Sequence, residues 1–261
     1  MNTSQRGYAP GQIVQTYTSE EWALRQDLAA AYRLAHHFGW DELIYNHITV
    51  EIPGSGGHFL INPMGLRYDE VSASNLIKID LQGNILSPTA FRINRAGFII
   101  HSAIHAARSD AFCVVHTHSR SGLAVASLKT GLQTFTQSGM QFHNRVAYHD
   151  YEGFNVHFDE QERLVSSLGN HQALILRNHG LLTIGNTIGK AFQRMFFLEQ
   201  ACQTMLDILS TGCAFNFVPE SVLENTASRW ADGSSDASAN DDLEWAALRR
   251  LADKLYPDYR L

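Results

Sequence analysis

Cysteine is scarce in this chain. There are three among 261 residues, Cys113, Cys202 and Cys213, and none forms a C-x-x-C pair. An odd number of scattered thiols excludes a disulfide-built scaffold and points to a reducing, cytoplasmic setting. Long apolar runs are missing as well. No stretch approaches the roughly 18 residues needed to span a bilayer, and the polar segment 1–15 lacks the apolar core of a secretory signal. Basic charge is not in excess: 20 Lys and Arg stand against 26 Asp and Glu, a net charge of -6. This balance argues against nucleic acid and against an anionic membrane surface as partners. The phosphate-cradling and nucleophile motifs G-x-x-x-x-G-K-[ST], G-x-G-x-x-G and G-x-S-x-G do not occur. Pro53-Gly54-Ser55-Gly56-Gly57 is glycine-rich, but no helix follows it to supply N-terminal amides, so it reads as a turn.

The remaining composition is that of a globular protein, with 44% hydrophobic and 18% charged residues. A chain of this length buries about three quarters of its unfolded surface. Residues 1–17 read as an irregular arm and 18–222 as one mixed α/β body. Residues 223–242, rich in Ser, Ala, Asp and Asn, read as a flexible linker. Residues 243–261 read as an amphipathic helix carrying Trp245, Leu248, Leu251 and Leu255, placed to dock on the body or on a neighbour. Within the body, Thr18 is placed to cap a helix through Phe38, and Asn94 one through Arg108. Strands are expected at 44–52, 58–61, 111–118, 132–136, 145–148, 171–176 and 181–184, and a long helix at 188–209.

Thirteen histidines is a high count, and their placement is specific. His116-Thr117-His118 ends the apolar run 111–115. Residues two apart on a strand share a face, so both imidazoles project side by side beyond the sheet. A second apolar run, 173–176, ends in Arg177-Asn178-His179-Gly180. Three convergent nitrogens with a fourth position open is the layout of a catalytic rather than a structural zinc site. The plainer alternative has His116 and His118 bonded to backbone carbonyls and His179 capping a turn. His101 and His105 form a competing pair, i and i+4 on a helix face. Ser102 stands where H-E-x-x-H has its glutamate, so the metalloprotease reading fails at its base.

The segments 61–66 (INPMGL), 71–76 (VSASNL), 101–108 (HSAIHAAR), 115–118 (VHTH) and 176–181 (LRNHGL) together resemble the class II aldolase and adducin family, over about residues 20–201. Tyr148-His149-Asp150-Tyr151 and Asn94-Arg95-Ala96-Gly97-Phe98 are closer to its adducin-head branch than to the sugar-phosphate aldolases. The resemblance implies a three-layer α/β/α fold with a central mixed, largely antiparallel sheet. It also implies a homotetramer with sites between subunits. His116, His118 and His179 match the family's ligands to Zn2+ or another divalent ion. Asn46, Asn62, Gly65 and Arg95 fall at expected substrate-contacting positions.

The implied activity is that of a zinc-dependent aldolase acting on a small hydroxy-carbonyl compound. A second reading is a non-catalytic oligomerisation module of the adducin-head type, and a third is another metal-dependent lyase or epimerase on the same scaffold. The chain departs from the enzymes where they carry a glutamate that moves a proton. Here that position is Gly97, and the two residues before it, serines in the sugar-phosphate enzymes, are Arg95 and Ala96. A base then has to come from elsewhere, with His101, His105, Tyr148 or a metal-bound hydroxide the candidates. Arg95 suits a carboxylate on the substrate.

Overall fold

The computed structural model describes residues 17–153, 158–231 and 235–261. The arm expected at 1–17 lies, apart from Tyr17, outside the described residues. The first helix, α1 (Ser19–His37), begins where Thr18 Oγ1 accepts the Glu21 amide, 3.1 Å away. The elements that follow are β1 (His47–Glu51), β2 (His58–Ile61), β3 (Ile77–Asp80), α2 (Arg95–Ala107), β4 (Cys113–Thr117) and α3 (Arg120–Ala126). After them come β5 (Val146–His149), α4 (Phe158–Leu168), β6 (Ala173–Leu176), β7 (Gly180–Gly185), α5 (Ile188–Ser210), α6 (Glu220–Arg229) and α7 (Ser235–Leu255).

The strands form one sheet in the order β3-β2-β1-β4-β7-β6-β5. Every neighbouring pair is antiparallel except β5 with β6. This is the mixed, largely antiparallel sheet that the resemblance implies. Both faces are covered, as the near-continuous apolar runs of β4, β6 and β7 require. Ile48, Val50, Cys113, Val115 and Ile175 pack with α1 and α5 on one face. Val114, Leu174, Leu176, Leu182 and Ile184 pack with Ile100 and Ile104 of α2 and Leu164 and Leu168 of α4 on the other. The result is three layers, α/β/α. Among the described residues no helix is long and apolar enough to cross a membrane.

Two expectations are corrected. Residues 132–136 form no strand, because the Leu132 amide donates to Tyr148 Oη (2.9 Å) and the Gln133 amide to Met205 Sδ (3.2 Å) in place of a ladder partner. The stretch expected as a flexible linker is largely helical, spanning the end of α6 and the start of α7, with 232–234 outside the described residues. Packing outweighs its weak helix propensity here: Ala227 is buried and Trp230 meets Phe197 edge-on at 5.5 Å. The tail docks on its own body. Trp245 packs on Phe192 of α5, and the Tyr259 and Leu261 carbonyls accept the Ala73 and Ser74 amides, each at 2.8 Å.

The Tyr32 hydroxyl ties α1 to the sheet. It lies 2.5 Å from the Ile48 carbonyl and 2.9 Å from Asn62 Oδ1, and accepts the amides of Ile48 (2.8 Å) and Asn62 (3.2 Å). Tyr32→Phe leaves buried amides without an acceptor. It is expected to lower unfolding free energy by about 1–3 kcal/mol, read as a shift of the urea midpoint at constant m-value.

Candidate metal centre

Strand alternation and register build this site. His116 lies on the α2 face of β4, and Thr117 points the other way, toward α5. In the next strand, β1, His47 is the direct partner of His116. The chain leaves β6 at Leu176 and turns through Asn178 in the left-handed region (φ 57°) to bring His179 back to the same sheet end. Gly180 opens β7 against the end of β4. A Cβ there would run into the Thr117 carbonyl and stand 2.9 Å from His118 Cδ2 and 3.3 Å from His116 Cε1, so this close approach requires glycine.

His116, His118 and His179 each offer one ring nitrogen, all within 4.8 Å of one another. The outer partners fix which nitrogen is offered. His116 Nδ1 donates to the Leu181 carbonyl at 2.9 Å, and His118 Nδ1 donates to the Glu42 carboxylate at 2.6 Å. In the neutral rings both Nε2 atoms are then bare lone pairs, and they face each other 3.0 Å apart. Such a pair is repulsive unless a proton or a cation lies between them. With His179 as a third donor, the set fits a divalent cation. Burial, with the neighbouring histidines adding to it, holds the His116 pKa well below its usual value and lowers that of His179 to about 4. Both are thus neutral near pH 7, the form that binds metal.

On the opposite face of the same segment, Glu199 of α5 is buried. It accepts three hydroxyl hydrogens, from Thr117 (3.0 Å), Ser119 (2.5 Å) and Ser121 (2.9 Å). Burial raises its pKa and the three hydroxyls oppose that shift. Ser119 also caps α3 by accepting the Gly122 amide at 3.0 Å. The turn that carries His118 is therefore gripped from behind.

A second group of histidines lies behind the triad. His105 Nδ1 donates to the Ala111 carbonyl (2.7 Å), and Thr49 Oγ1 bridges His105 Nε2 and His101 Nδ1, 2.7 Å from each. His47 stacks at a tilt on His101, with ring centroids 4.1 Å apart, and meets His116 edge-on at 5.5 Å. Its ring occupies the space a side chain at Gly97 would fill. Burial lowers the pKa of His47 and His105 to about 4 and that of His101 well below its usual value.

The other expected site residues separate. Asn46 is buried beside this group in the left-handed region (φ 71°), and neither polar atom of its side chain has a partner among the described residues. Asn62 is committed to Tyr32, while Gly65 and Arg95 are exposed. Tyr148 is turned away from the triad within this chain. Its hydroxyl accepts the Leu132 amide, its ring lies under the Arg177 guanidinium, and it lines a different cavity with Phe135, Phe142 and Phe215. Sequence reasoning missed His47, Glu42 and Glu199. For His47 a signal existed, since His47-x-Thr49 has the same alternation as His116-x-His118.

Four buried histidines and the half-buried His179, all with lowered pKa, make a pH prediction. Unfolded, each takes up a proton near pH 6.5, whereas the folded values of His47, His105 and His179 are about 4. As pH falls from about 6.5 to about 4, the unfolded chain binds protons that the folded chain does not, so stability falls across that window. Denaturant midpoints of chelator-treated protein should drop by the equivalent of at least about 1 kcal/mol per pH unit there.

With this geometry in place, the comparisons with known proteins are specific. Residues 26–206 match the sequence profile described as Class II Aldolase and Adducin N-terminal domain. Alpha-adducin of Rattus norvegicus is 41% identical over 251 residues, 92% of this chain but 34% of the adducin. Among solved structures, an aldolase II superfamily protein from Pseudomonas syringae superposes with a TM-score of 0.88 at 44% identity, covering 94% of this chain and 98% of that one. L-fuculose 1-phosphate aldolase from Glaciozyma antarctica superposes with a TM-score of 0.79 at 29% identity, covering 93% and 96%. The fold, the matched residues and the shared identity agree: this chain belongs to the class II aldolase and adducin family.

Proposed function

We propose that this chain is a metal-dependent lyase of the class II aldolase type, acting on a small hydroxy-carbonyl compound. The observation that carries the reading is the pair of bare Nε2 atoms of His116 and His118, 3.0 Å apart, with His179 completing the set. Zn2+ suits three imidazoles and an open fourth position, and another divalent ion of similar preference would serve. A bound ion of this kind supplies Lewis-acid polarisation of the substrate's carbonyl oxygen. The chain's own residues do the rest. The Leu181 carbonyl and Glu42 hold two ligand rings in one tautomer, and Glu199 fixes the turn behind them. Of the groups expected to move a proton, His105 and Tyr148 already have partners for their polar atoms, so they position their neighbours, whereas His101 keeps Nε2 uncommitted. Asn46 is placed to bond the substrate through its two unpartnered atoms, and Arg95 through its exposed guanidinium.

A homotetramer with sites between subunits belongs to the same proposal. Leu43 (70% exposed) and Tyr45 (46%) flank the site beside Glu42 and give a partner subunit apolar surface to cover. The three free thiols accord with a cytoplasmic location.

The second reading, a non-catalytic adducin-head-like module, is favoured by Gly97, which offers neither a ligand nor a base. Metal analysis separates the two. Purified protein should carry about one divalent ion per chain, by the three-histidine stoichiometry of such sites, and His116→Ala/His118→Ala should carry none while keeping its far-UV spectrum. A wild-type protein that stays metal-free after supplementation with zinc, manganese and cobalt leaves the module reading in place.

A further inference from the structure

The buried histidines behind the triad form a directional chain, and its direction follows from which atoms can donate. The Ala111 carbonyl only accepts, so His105 Nδ1 carries the hydrogen and His105 Nε2 is bare in the neutral ring. Thr49 has one hydroxyl hydrogen and gives it to His105 Nε2. The remaining Thr49 lone pairs accept from His101, so the hydrogen of His101 sits on Nδ1. His101 Nε2 is therefore an acceptor, buried and without a donor among the described residues.

The ring stacked at 4.1 Å on this acceptor is His47. His47 is 3% exposed; its ring lies against the backbone of Gly97 and Asn46, yet neither nitrogen meets a partner there in good hydrogen-bond geometry. Burying such atoms unpaired costs about 1–3 kcal/mol each, and folded proteins leave few of them unpaired without a reason. Asn46, next in sequence, adds two more. Five unpaired polar atoms thus sit together at the β1 end, with His47 directly across the ladder from His116 of the triad. The space that admits the His47 ring exists because residue 97 is glycine.

We propose that His47 is a ligand-contacting residue of this centre, accepting a hydrogen bond from the hydroxyl of a small hydroxy-carbonyl or hydroxy-acid compound held at His116, His118 and His179. The inference rests on the metal-dependent reading above. A neutral His47 ring keeps one bare nitrogen, and an acceptor at the site selects ligands that carry a hydroxyl over those that do not. The Ala111–His105–Thr49–His101 chain fixes the tautomer of the ring stacked on His47. His105 and Thr49 are accordingly positioning residues.

The test uses cobalt-loaded full-length protein, with glycolate and acetate as probes. Their affinities are read from the visible spectrum of the bound cobalt for wild type, His47→Leu and His47→Gln. Leucine fills the space without a polar atom, and glutamine restores an acceptor. Cobalt stoichiometry is expected to be unchanged in both variants, and the melting temperature of His47→Leu unchanged or higher, since a buried unpaired ring has been removed. Glycolate affinity should fall about tenfold or more in His47→Leu, the worth of one hydrogen bond, and partly recover in His47→Gln. Acetate affinity should change less than about twofold. Equal losses for glycolate and acetate, or none for either, overturn the inference, as does loss of cobalt in both variants, which would make His47 a support of the metal site. A wild-type protein that binds no cobalt removes the metal-dependent reading itself, and this inference with it.

Discussion

The register of β4 against its two neighbours is the constraint on which the site depends. Side chains on a strand alternate between faces, so a slip of one residue would turn His116 toward α5 and Thr117 toward the ligand side. Two ladders lock that register. β1 places His47 opposite His116, and β7 places Leu182 opposite the same residue. Because β4 is central, neither ladder can shift without exchanging apolar residues between the two covered faces, where Val114 and Val115 already pack into separate cores. The geometry of three imidazoles is thus inherited from the packing of the whole sheet.

Polarity is distributed unevenly around this frame. Glu199 is buried with three hydroxyl donors, whereas the triad and its histidine neighbours hold bare lone pairs at short range. The bare nitrogens favour positive charge on the ligand side of β4, while the carboxyl group behind it is held by its three hydroxyls. The packing holds these groups together at a cost that apolar residues would not incur, and a site that holds a cation offsets that cost when occupied.

Much of the fold and part of the site could be read from the sequence. The run 111–118 carries its meaning locally, because an apolar strand that ends in His-x-His has few other uses. Asn178-His179-Gly180 is legible for the same reason: asparagine and glycine supply the backbone freedom that the turn needs. Contacts that join distant segments were not legible. His47 acquires its position only when β1 meets β4 and α2, and Glu199 only when α5 crosses behind Thr117. The stretch 132–136 has the composition of a strand but loses its ladder partners to Tyr148 and Met205. The stretch after α5 has the composition of a linker, yet Ala227 and Trp230 find apolar contacts that order it. Tyr148 stood next to plausible chemistry in sequence and faces another cavity in space.

The docking of the tail bears on how the chain is made. Arg33 of α1 bonds the Asp258 carboxylate at 2.8 Å across 225 residues, and the loop at Ala73 and Ser74 finds its carbonyl partners only at 259 and 261. During synthesis, then, the first helix emerges long before the residues that complete its surroundings. Closing so long a loop is entropically slow. Until those residues arrive, the buried face of α1 and the edge near β3 stay open to other partners. Consolidation of this body therefore waits until residues 258–261 dock on α1 and on the loop at 73–74.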